Sequence, residues 1–241
     1  MNVKVQAAEL PFPATAYGAG WLRLLQPLGV AILLQSLISG WQLDLAWSSW
    51  LYAEEGRSWI LRDSWFFSEV VHKGGRELSI GLLILVCMAF VVSWKVPALS
   101  RYRRVLLYLI LGPATASALV AGAKHITGVD CPWSLDIFGG DQPYVPLVQN
   151  LLRGGGDGVC FPAGHASAGY AWLALYFAAV AVAPRWRYVA LAVALGAGLL
   201  FGVSQQLRGA HFLSHDLWSL VLCWYTVMLL ARWMLAKSDK R

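Results

Sequence analysis

Continuous apolar stretches recur along this chain of 241 residues, and they constrain its fold more than any other feature. Crossing the hydrocarbon core of a bilayer takes about 20 apolar residues, and lipid admits only helices or closed barrels. The stretches show no strict alternation, which excludes a barrel. We therefore expect an all-α, polytopic membrane helical bundle with six transmembrane helices, forming a single domain over residues 1–241. The predicted spans are residues 22–38, 78–96, 105–123, 166–183, 188–203 and 217–235.

The composition agrees with this class, because 58% of the residues are hydrophobic and only 13% are charged. The first stretch is interpreted as a membrane helix rather than a signal peptide. Its preceding segment is long and contains Pro11 and Pro13, and no small-residue cleavage pattern follows it.

Lysine and arginine residues are distributed unevenly between alternate loops. With a cytoplasmic N-terminus, the inner segments hold 12 of the 19 lysines and arginines but only two of the 13 acidic residues. Cationic loops stay in the cytoplasm. We therefore predict a multi-pass protein of a bacterial-type inner membrane with both termini inside. The net charge of +6 reflects this topology and indicates no nucleic-acid partner.

The first outer loop, residues 40–77, is too polar to span the membrane but is rich in aromatic residues. Aromatic rings of this kind are typical of the lipid headgroup region. The loop is predicted to form an interfacial helix on the outer leaflet, and a folded cap over the site is the alternative. Its aromatic residues are Trp41, Trp47, Trp50, Trp59, Trp65, Phe66 and Phe67.

The four cysteines form two groups. Cys131 and Cys160 lie in the same outer loop, in a compartment that permits oxidation, and we predict a disulfide between them. Cys87 and Cys223 lie inside predicted spans and are interpreted as small apolar core residues.

Three polar segments occur where predicted spans meet the outer loops. They are KHITGVDCP at residues 124–132, FPAGH at residues 161–165 and SQQLRGAHFLSHD at residues 204–216. An ionisable group at the edge of a span costs free energy and indicates a functional site by default. The predicted topology brings all three segments to the outer face, where they indicate one polar site.

The residue types in these segments favour phosphate chemistry. FPAGH ends where a helix begins, so the free amides near Gly164 and the helix dipole form an anion site. His211 and His215 are four residues apart and are expected on one face of a helical turn, with Arg208 on the same side. Imidazole can act as nucleophile or general acid, and cations stabilise a transferring phosphoryl group. With Lys124, the set predicts metal-free phosphoryl transfer without a cofactor.

These motifs resemble the membrane type 2 phosphatidic acid phosphatase (PAP2) superfamily, whose pattern is K-x6-R-P, P-S-G-H and S-R-x5-H-x3-D. The resemblance covers the chain from Val105 onward and implies six spans with the site on one face. It also implies that His211 is the nucleophile, His165 the general acid and Lys124 a phosphate ligand. The matching residues are Lys124, Pro132, Pro162, Gly164, His165, Ser204 and His211.

Four residues depart from that pattern, in place of its two arginines, its second-motif serine and its aspartate. Arg208 is one helical turn from Gln205 and is expected to bring a guanidinium to the space of a lost arginine. His215 or Asp216 is expected to orient His211. The departing residues are Cys131, Ala163, Gln205 and His215. The candidate catalytic residues are His211, His165, His215 and Asp216, and the candidate substrate-binding residues are Lys124, Arg208, Gly164, Ser204 and Gln205.

The leading hypothesis is a lipid phosphate or diphosphate phosphatase of the periplasmic face, or a phosphotransferase. Its substrate would be a lipid such as undecaprenyl diphosphate, a lipid A phosphate or a glycerophospholipid phosphate, and its other partners the membrane lipids. A second hypothesis treats His211, His215 and either His165 or Asp216 as ligands of a metal in a membrane hydrolase. A third is a non-catalytic binder or transporter of lipid phosphates.

Overall fold

The computed structural model describes residues 21–236, and side chains from Leu24 onward. Across this range the chain is helical, and the one β-bridge joins Leu135 and Gln142. A π-helical segment, Phe66–Gly74, leads directly into the third helix. The helices are α1 (Trp21–Gly40), α2 (Leu43–Glu54), α3 (Gly75–Val92), α4 (Pro97–Ser100), α5 (Arg103–Thr127), α6 (Leu147–Leu152), α7 (Gly164–Tyr170), α8 (Ala174–Val182), α9 (Arg187–Leu207) and α10 (Leu213–Leu235). Short 3₁₀ turns lie at Ile60–Asp63, Pro132–Ser134, Asp136–Phe138, Ala171–Leu173 and Pro184–Trp186.

Five helical segments in the described part of the chain are long and apolar enough to cross a membrane. A sixth arises if α1 and α2, which are bent by 60° relative to each other, count as one span. The predicted all-α polytopic bundle is confirmed. Helix ends are set by backbone hydrogen bonds rather than by hydropathy, so several helices extend past the apolar stretches. The clearest shift is the second predicted span, residues 78–96, where the helical segment is Phe66–Val92.

The segment formed by α7, Ala171–Leu173 and α8 lies at the centre of the bundle. In its most apolar window 67% of residues are buried, compared with 6% for the segment Phe66–Val92 at the periphery. Glycines allow the close approach of its neighbour α9. A Cβ at Gly169 would collide with the backbone of Gly198, and a Cβ at Gly198 would collide with the ring of Tyr170. Small residues at such contacts are typical of membrane helix packing.

Hydrogen bonds attach α1 to α10, and two of them are made by one hydroxyl group. Tyr225 donates a hydrogen bond from its hydroxyl to the Leu24 carbonyl at 2.6 Å and accepts one from the Leu28 amide at 3.0 Å. These two backbone groups flank Pro27, which lies inside the helix. The tyrosine hydroxyl therefore bonds to a carbonyl and an amide that lie one helical turn apart, beside the proline.

The first outer loop contains the expected helix, α2, and also packs against the loops of the site. Tyr52 and Trp59 contact Phe138, with ring centroids 5.4 and 5.7 Å apart. Trp41 and Trp65 remain 70% and 71% exposed, which leaves them available to the lipid interface. The loop therefore has exposed aromatic rings, as expected of an interfacial helix, and also packs as a cap, which was the alternative prediction.

The predicted disulfide between Cys131 and Cys160 is present, with the two Cα atoms 5.2 Å apart. Cys223 is a buried free cysteine and Cys87 a partly buried one. The prediction that both termini are cytoplasmic concerns residues 1–20 and 237–241, which lie outside the described residues.

Candidate functional site

The three polar segments singled out in the sequence meet at one end of the bundle. Lys124 lies in the last turn of α5, and His165 in the first turn of α7. Arg208 follows the last residue of α9, and His215 lies in the first turn of α10. His211 lies in the loop between α9 and α10 rather than on a helical turn, because α10 begins only at Leu213.

His211 and His215 nevertheless form a direct pair. Their Nδ1 atoms are 3.5 Å apart and their ring planes are inclined by 65°. A hydrogen bond between these two nitrogens requires that one of them carries a proton and donates while the other accepts. His215, which stands where the PAP2 pattern has aspartate, therefore takes the place of the carboxylate beside His211.

His211 is only 5% exposed. Burial lowers its pKa well below the ordinary histidine value, and the neighbouring His215 and the positive charge of Lys124 act in the same direction. A neutral imidazole keeps a lone pair on one nitrogen, which is the state that a nucleophile requires.

Lys124 reaches the beginning of α7. Its Nζ atom lies 3.2 Å from the position that a Cβ of Gly164 would occupy. A side chain at residue 164 would thus crowd the lysine, which gives a physical reason for glycine there. The ammonium group and the first amides of α7 face the same space, as expected for a phosphate site.

His165 is held by a segment that sequence reasoning did not place at the site. Its Nε2 donates to the backbone carbonyl of Val71 at 3.3 Å, since a carbonyl can only accept. Its ring lies against the ring of His72, with centroids 4.2 Å apart, and against Phe201. His72 belongs to the π-helical segment Phe66–Gly74, and π-helical turns are frequent at functional sites.

Arg208 is fixed in place by two acceptors. Its Nη1 donates to Oε1 of Gln205 at 3.1 Å, and its Nε donates to the Arg62 carbonyl of the first outer loop at 2.9 Å. Partial burial lowers the pKa of Arg208, but a guanidinium remains charged in proteins. Its charge acts on both His72 and His165. The glutamine in the pattern's arginine position therefore positions a guanidinium near the catalytic candidates.

Asp216 and Ser204 bond to groups other than the imidazoles of His211 and His215. The Asp216 carboxylate accepts a hydrogen bond from the Gln206 side chain, and Gln206 in turn accepts one from Trp47 at 2.8 Å. Ser204 donates to the Phe201 carbonyl at 2.7 Å. In the part of the chain that is described, no hydrogen bond joins Asp216 to His211 or His215. These contacts connect α2, α9 and α10 behind the site.

Asp44 is a further residue that the motifs did not reveal. Its two carboxylate oxygens accept hydrogen bonds from the amide and the hydroxyl of Ser214, at 2.9 and 2.6 Å. The carboxylate thus caps the first turn of α10 from another helix, next to His215. A single acidic residue in the otherwise apolar start of α2 was the only signal in the sequence.

A groove of about 440 Å³ opens beside the site between α3, α5 and α7. Arg76, Lys124 and Gly164 line it together with apolar residues such as Ile80 and Ala121. A groove that joins cations to apolar helix surfaces matches a molecule with an anionic head and a hydrocarbon chain.

Among residues 21–236, no three histidine, cysteine, aspartate or glutamate side chains form a group that could hold a metal ion. Asp216, one of the two residues that the metal hypothesis offered as a third ligand beside His211 and His215, bonds to Gln206 instead.

The sequence model of the PAP2 superfamily matches residues 102–239, which include Lys124, His165 and His211. Comparisons with curated proteins and with solved structures gave no significant match. The match covers more than half of the chain and contains all three motif segments. The chain therefore belongs to the PAP2 superfamily, whose members are phosphatases that act on phosphate esters.

Proposed function

We propose that the protein is a lipid phosphate or diphosphate phosphatase that acts at the periplasmic face of a bacterial-type inner membrane. The observation that carries this proposal is the buried His211, whose Nδ1 lies against Nδ1 of His215 and which is close enough to Lys124 to feel its charge. An imidazole fixed at one nitrogen presents its other nitrogen to a phosphorus atom.

In the first step Nε2 of His211 attacks phosphorus and the bond from phosphorus to the lipid oxygen breaks. His165 donates a proton to the departing oxygen. Its Nε2–H remains on the Val71 carbonyl, so the transferred proton comes from Nδ1, which takes up a proton when the anionic substrate binds beside the ring. Lys124 and Arg208 hold the phosphoryl oxygens and stabilise their charge.

In the second step His165, now neutral at Nδ1, takes a proton from water. The resulting hydroxide attacks the phosphorus of phospho-His211, and inorganic phosphate leaves as Nε2 regains its lone pair. The two steps return both histidines to their starting states. The chain's own residues supply every group that this metal-independent mechanism uses.

The groove beside Lys124 supports a lipid substrate over a soluble phosphate ester. Its cationic end adjoins the site, and its apolar residues belong to α3 and α5, two of the predicted membrane helices. A phosphorylated lipid can therefore place its head at His211 while its chain stays in the bilayer. Candidate substrates are undecaprenyl diphosphate, lipid A phosphates and glycerophospholipid phosphates.

The test is phosphate release from a panel of these lipids by the full-length protein purified in detergent. We expect release from at least one lipid, no dependence on added chelator, and no release by the His211→Ala variant. Transfer of the phosphoryl group to a second lipid instead of water would indicate the phosphotransferase form. Binding without release from any lipid in the panel would favour the non-catalytic binder, and loss of activity on chelation would favour the metal-dependent hydrolase.

A further inference from the structure

A small cavity adjoins His215, and His211 does not line it. Its volume is about 20 Å³, and His215, Asn150, Asp44 and Tyr144 line it with apolar neighbours. A cavity of roughly 10–15 Å³ by this measure is enough for one water molecule, provided that polar partners surround it. The cavity thus has the size of one water.

Two polar atoms at this cavity lack a hydrogen-bond partner among the described residues. They are Nε2 of the fully buried His215 and Oδ1 of Asn150. The backbone groups of Asn150 are bonded within α6 and the turn that follows it. A buried polar atom left unpaired costs about 1–3 kcal/mol. Both atoms belong to residues that line the same small space, so one water can satisfy both.

Residue 215 is histidine where the PAP2 pattern has aspartate, so it matters whether Nε2, the ring nitrogen that does not meet His211, carries a proton. A carboxylate accepts a hydrogen bond whatever its other oxygen does. An imidazole accepts only at the nitrogen without a proton, so Nδ1 of His215 can accept from His211 only when the proton is on Nε2. The proton on Nε2 then needs an acceptor in the cavity.

We propose that the cavity binds one water that accepts a hydrogen bond from Nε2–H of His215 and donates one to Oδ1 of Asn150. The Asp44 carboxylate faces the same cavity and is the acceptor for the second proton of this water. The water favours the Nε2–H tautomer of His215 over the Nδ1–H tautomer, for which the backbone carbonyl of Cys160 is the competing acceptor. Nδ1 of His215 then accepts from Nδ1–H of His211, which leaves the lone pair of His211 on Nε2.

Asn150 is in this arrangement a positioning residue, which acts on His211 through the water and His215. Its role in turnover rests on the proposed function, whereas the tautomer of His215 does not. The two can therefore be tested separately.

The tautomers are measured by NMR on the full-length protein containing isotope-labelled histidine, with signals assigned from His211→Gln and His215→Gln variants. In the parent protein we expect His215 as the Nε2–H tautomer and His211 as the Nδ1–H tautomer. Asn150→Leu should convert His215 to a mixture of tautomers, and Asn150→Asp, which keeps an oxygen acceptor, should retain the parent state. Gln149→Leu, an exposed neighbour on the same helix, should change nothing.

Turnover of a lipid phosphate provides the second measurement. Asn150→Leu should lower kcat about tenfold with little change in KM, in the range typical of residues that orient a functional histidine. Asn150→Asp should restore most of kcat. A tautomer shift in Asn150→Leu without measurable hydrolysis by the parent would uphold the water site and overturn only the proposed function. An Nδ1–H tautomer of His215 in the parent, or an unchanged tautomer in Asn150→Leu, would overturn the inference itself.

Discussion

At the scale of single residues, two of the departures from the PAP2 pattern lie among the residues of the candidate site. Gln205 occupies a position where the PAP2 pattern has arginine, and its side-chain oxygen holds the guanidinium of Arg208. His215 occupies the position of an aspartate and meets Nδ1 of His211. The first replacement is accompanied by the guanidinium of Arg208, and the second puts an imidazole where the pattern has a carboxylate.

The planar donor geometry of Arg208 can be tested separately from its positive charge. We expect Arg208→Lys to lower kcat/KM roughly tenfold to a hundredfold, because lysine retains the charge but loses the planar donors that hold two phosphate oxygens. Arg208→Ala should be more severe. The matched substitutions at the exposed Arg153 should have little effect in neutral detergent. Near-normal turnover by Arg208→Lys would mean that Arg208 only attracts the anionic headgroups of lipids.

Burial of His211 also predicts how stability depends on pH. The lowered pKa means that, below about pH 6.5, the unfolded chain binds a proton at this residue that the folded protein does not. Stability contributed by the neutral histidine is therefore present above this pH and is lost as the pH falls. Thermal unfolding in detergent should show a drop in the midpoint from pH 7.5 to 5.5 that is smaller in His211→Gln, whereas equal drops would contradict the assignment.

At the scale of elements, the position of His165 depends on how closely α7 packs against α9. Gly198→Ala would place a methyl group inside the ring of Tyr170, so we expect a loss of roughly 1–3 kcal/mol and a lower unfolding midpoint. Gly196→Ala is the matched control, since no atom lies within 4 Å of a Cβ there. Similar midpoints for the two variants would argue against this packing.

Spans and motif order could be predicted from the sequence, whereas contacts between distant elements could not. Hydropathy located the spans and the order of the motifs located Lys124, His165 and His211, because both are local properties of the chain. The contacts of Asp44 with Ser214 and of Val71 with His165 join residues 170 and 94 positions apart. No local pattern encodes such pairings, and the loop position of His211 depends on where backbone bonding starts α10.

At the scale of the whole molecule, a cap of loops covers one end of a membrane bundle. The disulfide between Cys131 and Cys160 joins the loop after α5 to the segment that leads into α7. We expect the double variant Cys131→Ser, Cys160→Ser to lose roughly 2–4 kcal/mol of stability. Reduction of the parent should lower its unfolding midpoint similarly, while the variant should not respond. An unchanged midpoint on verified reduction would mean that the cap is held by its apolar contacts alone.

Trapping phospho-His211 tests most directly whether His211 carries the phosphoryl group during turnover. The purified protein is mixed with a lipid substrate radiolabelled in its phosphate, quenched in alkali, where phosphohistidine survives, and digested into peptides. We expect label on the peptide that contains His211 and none in the His211→Ala variant. In a variant of His165, the labelled phosphohistidine should accumulate when the leaving group needs no proton. Label on any other residue, or turnover by His211→Ala, would contradict it.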